Sequence, residues 1–193
     1  MNRLLTFWQR YMHVPPEASA YMATHCQVKH YLRNSIFSYP NDDPKPYWCF
    51  VLEGLAVGIH VEADGKETVR WLAVPYSYFT GTIHPFSTRQ NTAIIEFWTE
   101  SVILLIPNEC IAFAQQHYPA ISELMQILKQ QQISRLRKYV QLFQYKDNFD
   151  RYCFFQKNLA EIAEHTNNRQ QAIFLQMSNG TFYMQKQKYV HQK

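Results

Sequence analysis

Glycine is scarce in this sequence, five in 193 residues. That leaves little backbone for phosphate-cradling loops, and no Walker-type loop occurs. Gly-x-Ser-x-Gly and His-Glu-x-x-His are missing too, so the common signatures of serine hydrolases and zinc peptidases are not present. The four cysteines, Cys26, Cys49, Cys110 and Cys153, form no Cys-x-x-Cys pair. Zinc and iron–sulfur sites need clustered thiolates, so neither a metal nor a cofactor is expected. Scattered thiols without a secretion signal are expected to stay reduced in a cytoplasm. No apolar run approaches the roughly 18–20 residues of a membrane helix. The N-terminal Met1-Asn2-Arg3-Leu4-Leu5-Thr6-Phe7-Trp8 shows no cleavage-site pattern and reads as a short helix packed on the body.

What is present is apolar bulk and a charge asymmetry. Apolar residues make up 47% and aromatics 16%, enough for a substantial core. Residues 1–128 hold eight Lys and Arg against eleven Asp and Glu, whereas residues 129–193 hold eleven against four. A basic end on a mildly acidic body fits a phosphate-bearing partner, or simply a solvated helical surface.

The hydrophobic period divides the chain. Residues 1–35 read as helical or irregular, with helical spacing from Glu17 to Arg33. Five strand-like runs follow: 47–52, 55–61, 68–74, 92–98 and 101–106. Asp64-Gly65 between the second and third is a strong hairpin signal. After Pro107, Asn108 can open a short helix, which Tyr118-Pro119 breaks. A long helix without Pro or Gly then runs from about 120 to 145. Its stripe of Ile121, Met125, Leu128, Leu136, Tyr139 and Phe143, interrupted by Gln132, predicts either a dimer seam with a register-setting polar residue or packing on the chain's own strands. Residues 151–178 read as two or three short helices, and Thr181 to His191 as a small hairpin. The expected fold is mixed β and α, an antiparallel β-roll of jelly-roll type with flanking helices. Its units are 1–118 for N-terminal helices and roll, 119–145 for the dimerisation helix, and 146–193 for a C-terminal helical or winged segment.

This succession resembles the Crp/Fnr regulator family. Tyr47 to Leu55 is similar to that family's first strand pair, Asp64-Gly65-Lys66-Glu67 to its hairpin, and Glu100-Ser101-Val102-Ile103-Leu104-Leu105-Ile106-Pro107 to its closing strand. The resemblance implies a cyclic-nucleotide-binding-type effector domain, a homodimer and a DNA partner. In the family a phosphate cassette combines a short helix, a Gly-Glu pair and an Arg followed by Ser or Thr. Here Thr82 stands in place of the acid and Asn91 in place of the arginine, with Arg89 two positions early. Loss of both charged partners implies that cyclic AMP is not the ligand. The candidate contacts for another, unidentified small-molecule effector are Thr82, Ile83, Arg89, Asn91 and Thr92.

In the C-terminal part, Leu159 to Thr166 resembles the first helix of a helix-turn-helix, and Asn167 to Phe174 its turn and recognition helix. The implied DNA contacts are Asn168, Arg169, Gln170 and Gln171 on base edges, with Lys186 and Lys188 on a wing. The expected function is a dimeric transcription regulator, not an enzyme. A second reading is an effector-binding module without a DNA role. A third is a metal-dependent cupin, although none of the eight histidines forms the His-x-His pair such a site uses.

Overall fold

The computed structural model describes residues 2–191, so Met1, Gln192 and Lys193 lie outside the described residues. Helices α1 (Asn2–Gln9) and α2 (Pro16–His25) lead into strands β1 (Gln27–Tyr31), β2 (Ile36–Ser38), β3 (Tyr47–Glu53), β4 (Ala56–Val61), β5 (Glu67–Ala73), β6 (Tyr78–Thr80), β7 (Ile94–Phe97) and β8 (Ser101–Pro107). Then come α3 (Asn108–His117), α4 (Pro119–Gln144), α5 (Asn148–Asn158), α6 (Ala160–Ala163), α7 (Asn168–Phe174) and α8 (Asn179–His191). The strands form two four-stranded antiparallel sheets, ordered β1-β8-β3-β6 and β2-β7-β4-β5. Gly65 closes the β4–β5 hairpin with φ +82, a conformation that L side chains rarely adopt.

Alternation along the strands sorts their side chains into three layers. On β3, Cys49 and Val51 point between the sheets, while Trp48, Phe50 and Leu52 point outward onto α1, α2, α3 and the first half of α4. On β4, Ala56 faces the roll interior, whereas Val57 and Ile59, with Leu55 just before the strand, pack against the C-terminal helices. The central strands β3, β4 and β8 are therefore covered on both faces, which is why they read as nearly continuous apolar runs.

All five expected strands are found, and Pro119 sits in the first turn of the long helix, where its missing N–H leaves no bond unmade. Two readings are corrected. The helix expected over 17–33 stops at His25, and β1 follows. Most of β1 is exposed at a sheet edge, so it carries no apolar alternation to betray it. The hairpin expected over Thr181–His191 is the helix α8. The inward residues Phe182, Gln185 and Tyr189 follow helical spacing, and the Ser178 hydroxyl caps the start by accepting from Thr181 N–H at 3.1 Å.

The C-terminal helices share one apolar core with the second sheet. Trp98, Leu72 and Val74 meet Leu142, Tyr152, Phe155, Phe174 and Phe182 there. No described helix is long and apolar enough to cross a membrane.

Candidate functional site

Two places concentrate the expected chemistry: a cleft beside α4 and the C-terminal helical unit. The cleft, about 220 Å³, lies between β5, β6, the 81–93 segment and α4. Trp71, Tyr78, Thr80, Ile83, His84, Asn91 and Gln132 line it, with no lysine, arginine, aspartate or glutamate among its lining residues. Trp71 crosses β4 and stacks on Phe79 at 5.6 Å. It lies over Gly58, where a Cβ would come within 2.3 Å of the indole. Gly58 thus makes room for an aromatic side chain inside the roll.

The 81–93 segment contains no helix. Instead a Thr82–Gln90 bridge pinches it, with Ile83 N–H donating to Arg89 O at 3.1 Å. Of the five expected contacts, Ile83 and Asn91 line the cleft. Thr82 does not: it is fully buried, donates to His84 O at 2.9 Å and accepts from Asn108 Nδ2 at 2.8 Å. Its hydroxyl holds the loop instead. Arg89 and Thr92 are exposed and outside the lining. Asn91 accepts from Ala93 N–H at 3.0 Å and donates to Thr80 O at 3.4 Å. His84 Nδ1 accepts from Phe86 N–H at 3.2 Å, which leaves the neutral ring's proton on Nε2.

The expected seam of α4 divides in two. Ile121, Met125 and Leu128 are buried in the chain's own core against α1–α3, so they are not available to a partner helix. Gln132 lines the cleft rather than interrupting a seam. Tyr139 packs on Phe174 at 5.5 Å, and its buried hydroxyl has no partner among the described residues. Burial pushes that phenol's pKa up to about 12. Leu136 remains exposed and forms a stripe with Ile133, Val140 and Phe143, at spacings of three and four. Ile133, Leu136 and Val140 are its open part, since Phe143 also packs on Phe174 at 6.3 Å and lies under the Arg151 guanidinium at 5.9 Å.

In the C-terminal unit the motif lies one helix later than expected. The first-helix candidate, Leu159–Thr166, forms only the single turn α6. Gln170 and Gln171 are buried and do structural duty. Gln170 completes a reciprocal capping box with Asn167 and donates to Trp98 O at 3.2 Å. Gln171 donates to Ala163 O at 2.8 Å and Thr166 O at 2.9 Å. Asn168 donates to the Tyr183 hydroxyl and accepts from Lys186 Nζ at 2.9 Å. Arg169 is exposed but paired with Glu67 of β5 at 3.3 Å. Lys186 and Lys188 sit on α8, not on a wing, and the Lys188 ammonium lies 4.0 Å from the Phe149 ring centroid.

Helix α7, the four residues 175–178 and α8 make a helix–turn–helix arrangement, with a turn of the usual length for such a pair. Met177 N–H donates to Ala172 O at 2.9 Å and Gln176 N–H to Ile173 O at 3.1 Å, the double closure that ends many helices. Gln176 takes the left-handed position there, φ 56, that glycine usually fills. The outer face of α8 offers Asn179, Tyr183, Met184, Gln187 and Lys188, all exposed. Their sequence signal is the Ser178 cap and the absence of any turn residue from Thr181 to His191.

No protein-family model matches the chain, and no curated protein matches it. Solved structures do match. The c-di-GMP-responsive global regulator CLP of Xanthomonas campestris superposes with TM-score 0.70 at 17% identity, over 92% of this chain and 93% of its own. A cyclic nucleotide-binding domain containing protein from Listeria monocytogenes gives 0.70 at 16%, over 98% and 91%. A CRP-family transcriptional regulator from Thermus thermophilus gives 0.67 at 14%, over 85% and 85%.

Two outcomes follow from this geometry. Gln176→Gly is expected to stabilise the protein by about 1 kcal/mol in chemical denaturation, because it relieves a left-handed L-residue. Glu96, half-buried on β7, has its pKa raised by burial and by Glu67, with Arg169 partly offsetting. The folded state therefore holds this proton more tightly than the unfolded chain, and stability is lost as pH rises through the folded pKa. Glu96→Gln should be more stable than the parent at pH 7, with the difference vanishing once pH falls below the ordinary carboxylate range. At identities this low the likeness is one of fold: the chain is built as the Crp/Fnr-type regulators are, with a cyclic-nucleotide-binding-like roll, a long helix and a C-terminal helical unit.

Proposed function

We propose that the protein is a dimeric, DNA-binding transcription regulator whose effector domain does not use cyclic AMP. The observation that carries this reading is the α7–turn–α8 motif at the basic end, with the outer face of α8 uncovered. In such motifs the second helix enters the major groove and its N-terminal residues reach base edges. On this chain that assigns Asn179, Tyr183 and Gln187 to the base-facing surface and Lys188 to phosphate. The exposed stripe of Ile133, Leu136, Val140 and Phe143 supplies the surface for a second copy, as the helical spacing of a paired seam requires.

The cleft supports the negative half of the proposal. A cyclic nucleotide carries a phosphate, and CLP is described as responsive to c-di-GMP, which carries two. Neither lysine nor arginine lines this cleft, and no helix in 81–93 presents backbone donors. An anion placed there would be desolvated without a fixed counter-charge.

An effector module without a DNA role is the second reading. It is favoured by one observation: α8 carries no arginine, and both its lysines already have partners within the chain. The two readings separate by fluorescence anisotropy with random-sequence duplex DNA. The regulator should bind at low salt, and log K should fall by about 0.9 per phosphate contacted as log salt rises. Lys188→Ala should weaken binding and flatten that slope by about one contact. Leu136→Asp/Val140→Asp should convert the protein to a monomer in sedimentation equilibrium and weaken DNA binding with it. No binding at low salt selects the second reading.

A further inference from the structure

We propose that the cleft beside α4 takes an uncharged planar heterocycle with an amide-type edge, bordered by the rim of Trp71. This inference rests on the effector-domain reading and names its ligand class. Four groups of complementary character converge there without a formal charge. The Tyr78 hydroxyl makes no hydrogen bond among the described residues, nor does the Gln132 amide, although both line the cleft. His84 presents the Nε2–H that its Phe86 contact fixes. Asn91 accepts from Ala93 and donates only weakly to Thr80, so its amino group is free to donate to a better partner. Together they offer both donors and acceptors, and the exposed edge of the Trp71 indole adds an apolar border.

Size and charge narrow the class further. A volume of about 220 Å³ lies below the roughly 300 Å³ at the small end of ordinary ligand clefts, so one ring system fits better than a full nucleotide. Arg135, about one turn beyond Gln132 on α4, lines the small adjoining cavity. Its guanidinium is engaged with Glu161 at 3.8 Å. A neutral ring leaves that pair undisturbed.

The unpaired polar edges also set specificity. A site whose amide and hydroxyl groups await partners rejects an isosteric ring that cannot supply them, since those groups would then be buried unpaired. Gln132 comes from the long helix, whereas Trp71 and Tyr78 come from the second and first sheets. A ligand held by all three bridges the roll to α4.

The test uses full-length protein, isothermal calorimetry and saturation-transfer NMR, with adenine, nicotinamide, indole and cyclic AMP as probes. Adenine and nicotinamide should bind. Indole, which lacks the amide-type edge, and cyclic AMP, which adds a phosphate to the adenine base, should each bind about tenfold or more weakly. Gln132→Ala should weaken adenine by a similar factor while leaving the thermal midpoint unchanged, because its side chain makes no contact within the fold that a hydrogen bond records. The inference is overturned if cyclic AMP matches or exceeds adenine, if indole equals it, if Gln132→Ala binds as the parent does, or if no probe binds at millimolar concentration. The DNA titration needs no ligand. Protein that binds DNA but none of the rings overturns this inference alone, and protein that binds rings but not DNA overturns the regulator reading alone.

Discussion

Phe174 occupies the point where three helices meet. Its ring lies 5.5 Å from Tyr139 and 6.3 Å from Phe143 on α4, and 5.7 Å from Phe155 on α5. Around it the same apolar core takes in Leu55, Val57 and Leu72 of the second sheet. Because that core is continuous, the position of the helix-turn-helix on the roll is set by packing, not by a flexible tether. The polar contacts over it are weaker and more specific. Arg169 to Glu67 is a solvent-exposed pair worth at most about 1 kcal/mol. Gln170, buried and bonded to the Trp98 carbonyl, fixes orientation by leaving no room for an unpaired amide.

The same helix that seats Phe174 also borders the cleft. Gln132 lines the cleft, and Tyr139, two turns further on, touches Phe174. Trp71 and Leu72 border both the cleft and the apolar groove that ends at Phe174. In the proposed reading, a ligand that changes how α4 sits against β5 therefore acts on the surface that holds α7. Such an effect requires different affinity for two arrangements of α4, which is the only route by which binding shifts an equilibrium.

The strands of the roll are legible in sequence because burial on both faces writes long apolar runs into residues 47–61 and 101–106. Strands β2 and β6 are not, since three residues give no period, and β1 is hidden by its exposure. Helix α8 imitates a hairpin because Phe182 and Met184, then Tyr189 and His191, alternate by chance. Its inward face includes Gln185, a polar residue that breaks the apolar signature of a helix. The stripe on α4 is legible as a stripe, but spacing alone does not say which surface covers it. The first half, Ile121 to Leu128, packs on the chain's own helices. Ile83 and Asn91 emerge through the family pattern, whereas Gln132 reads as a break in a seam and belongs to the cleft. No sequence motif marks Trp71 or His84. Only their placement beside Gln132 gives them chemistry.

Which helix faces nucleic acid decides the rest. A photo-crosslinking amino acid installed at Gln187 on α8, and separately at Arg169 on α7, tests this with full-length protein and a random duplex at low salt. A protein–DNA adduct is expected from position 187 and none from position 169. An adduct from 169 with none from 187, or none from either, would contradict the assignment of α8 to the groove.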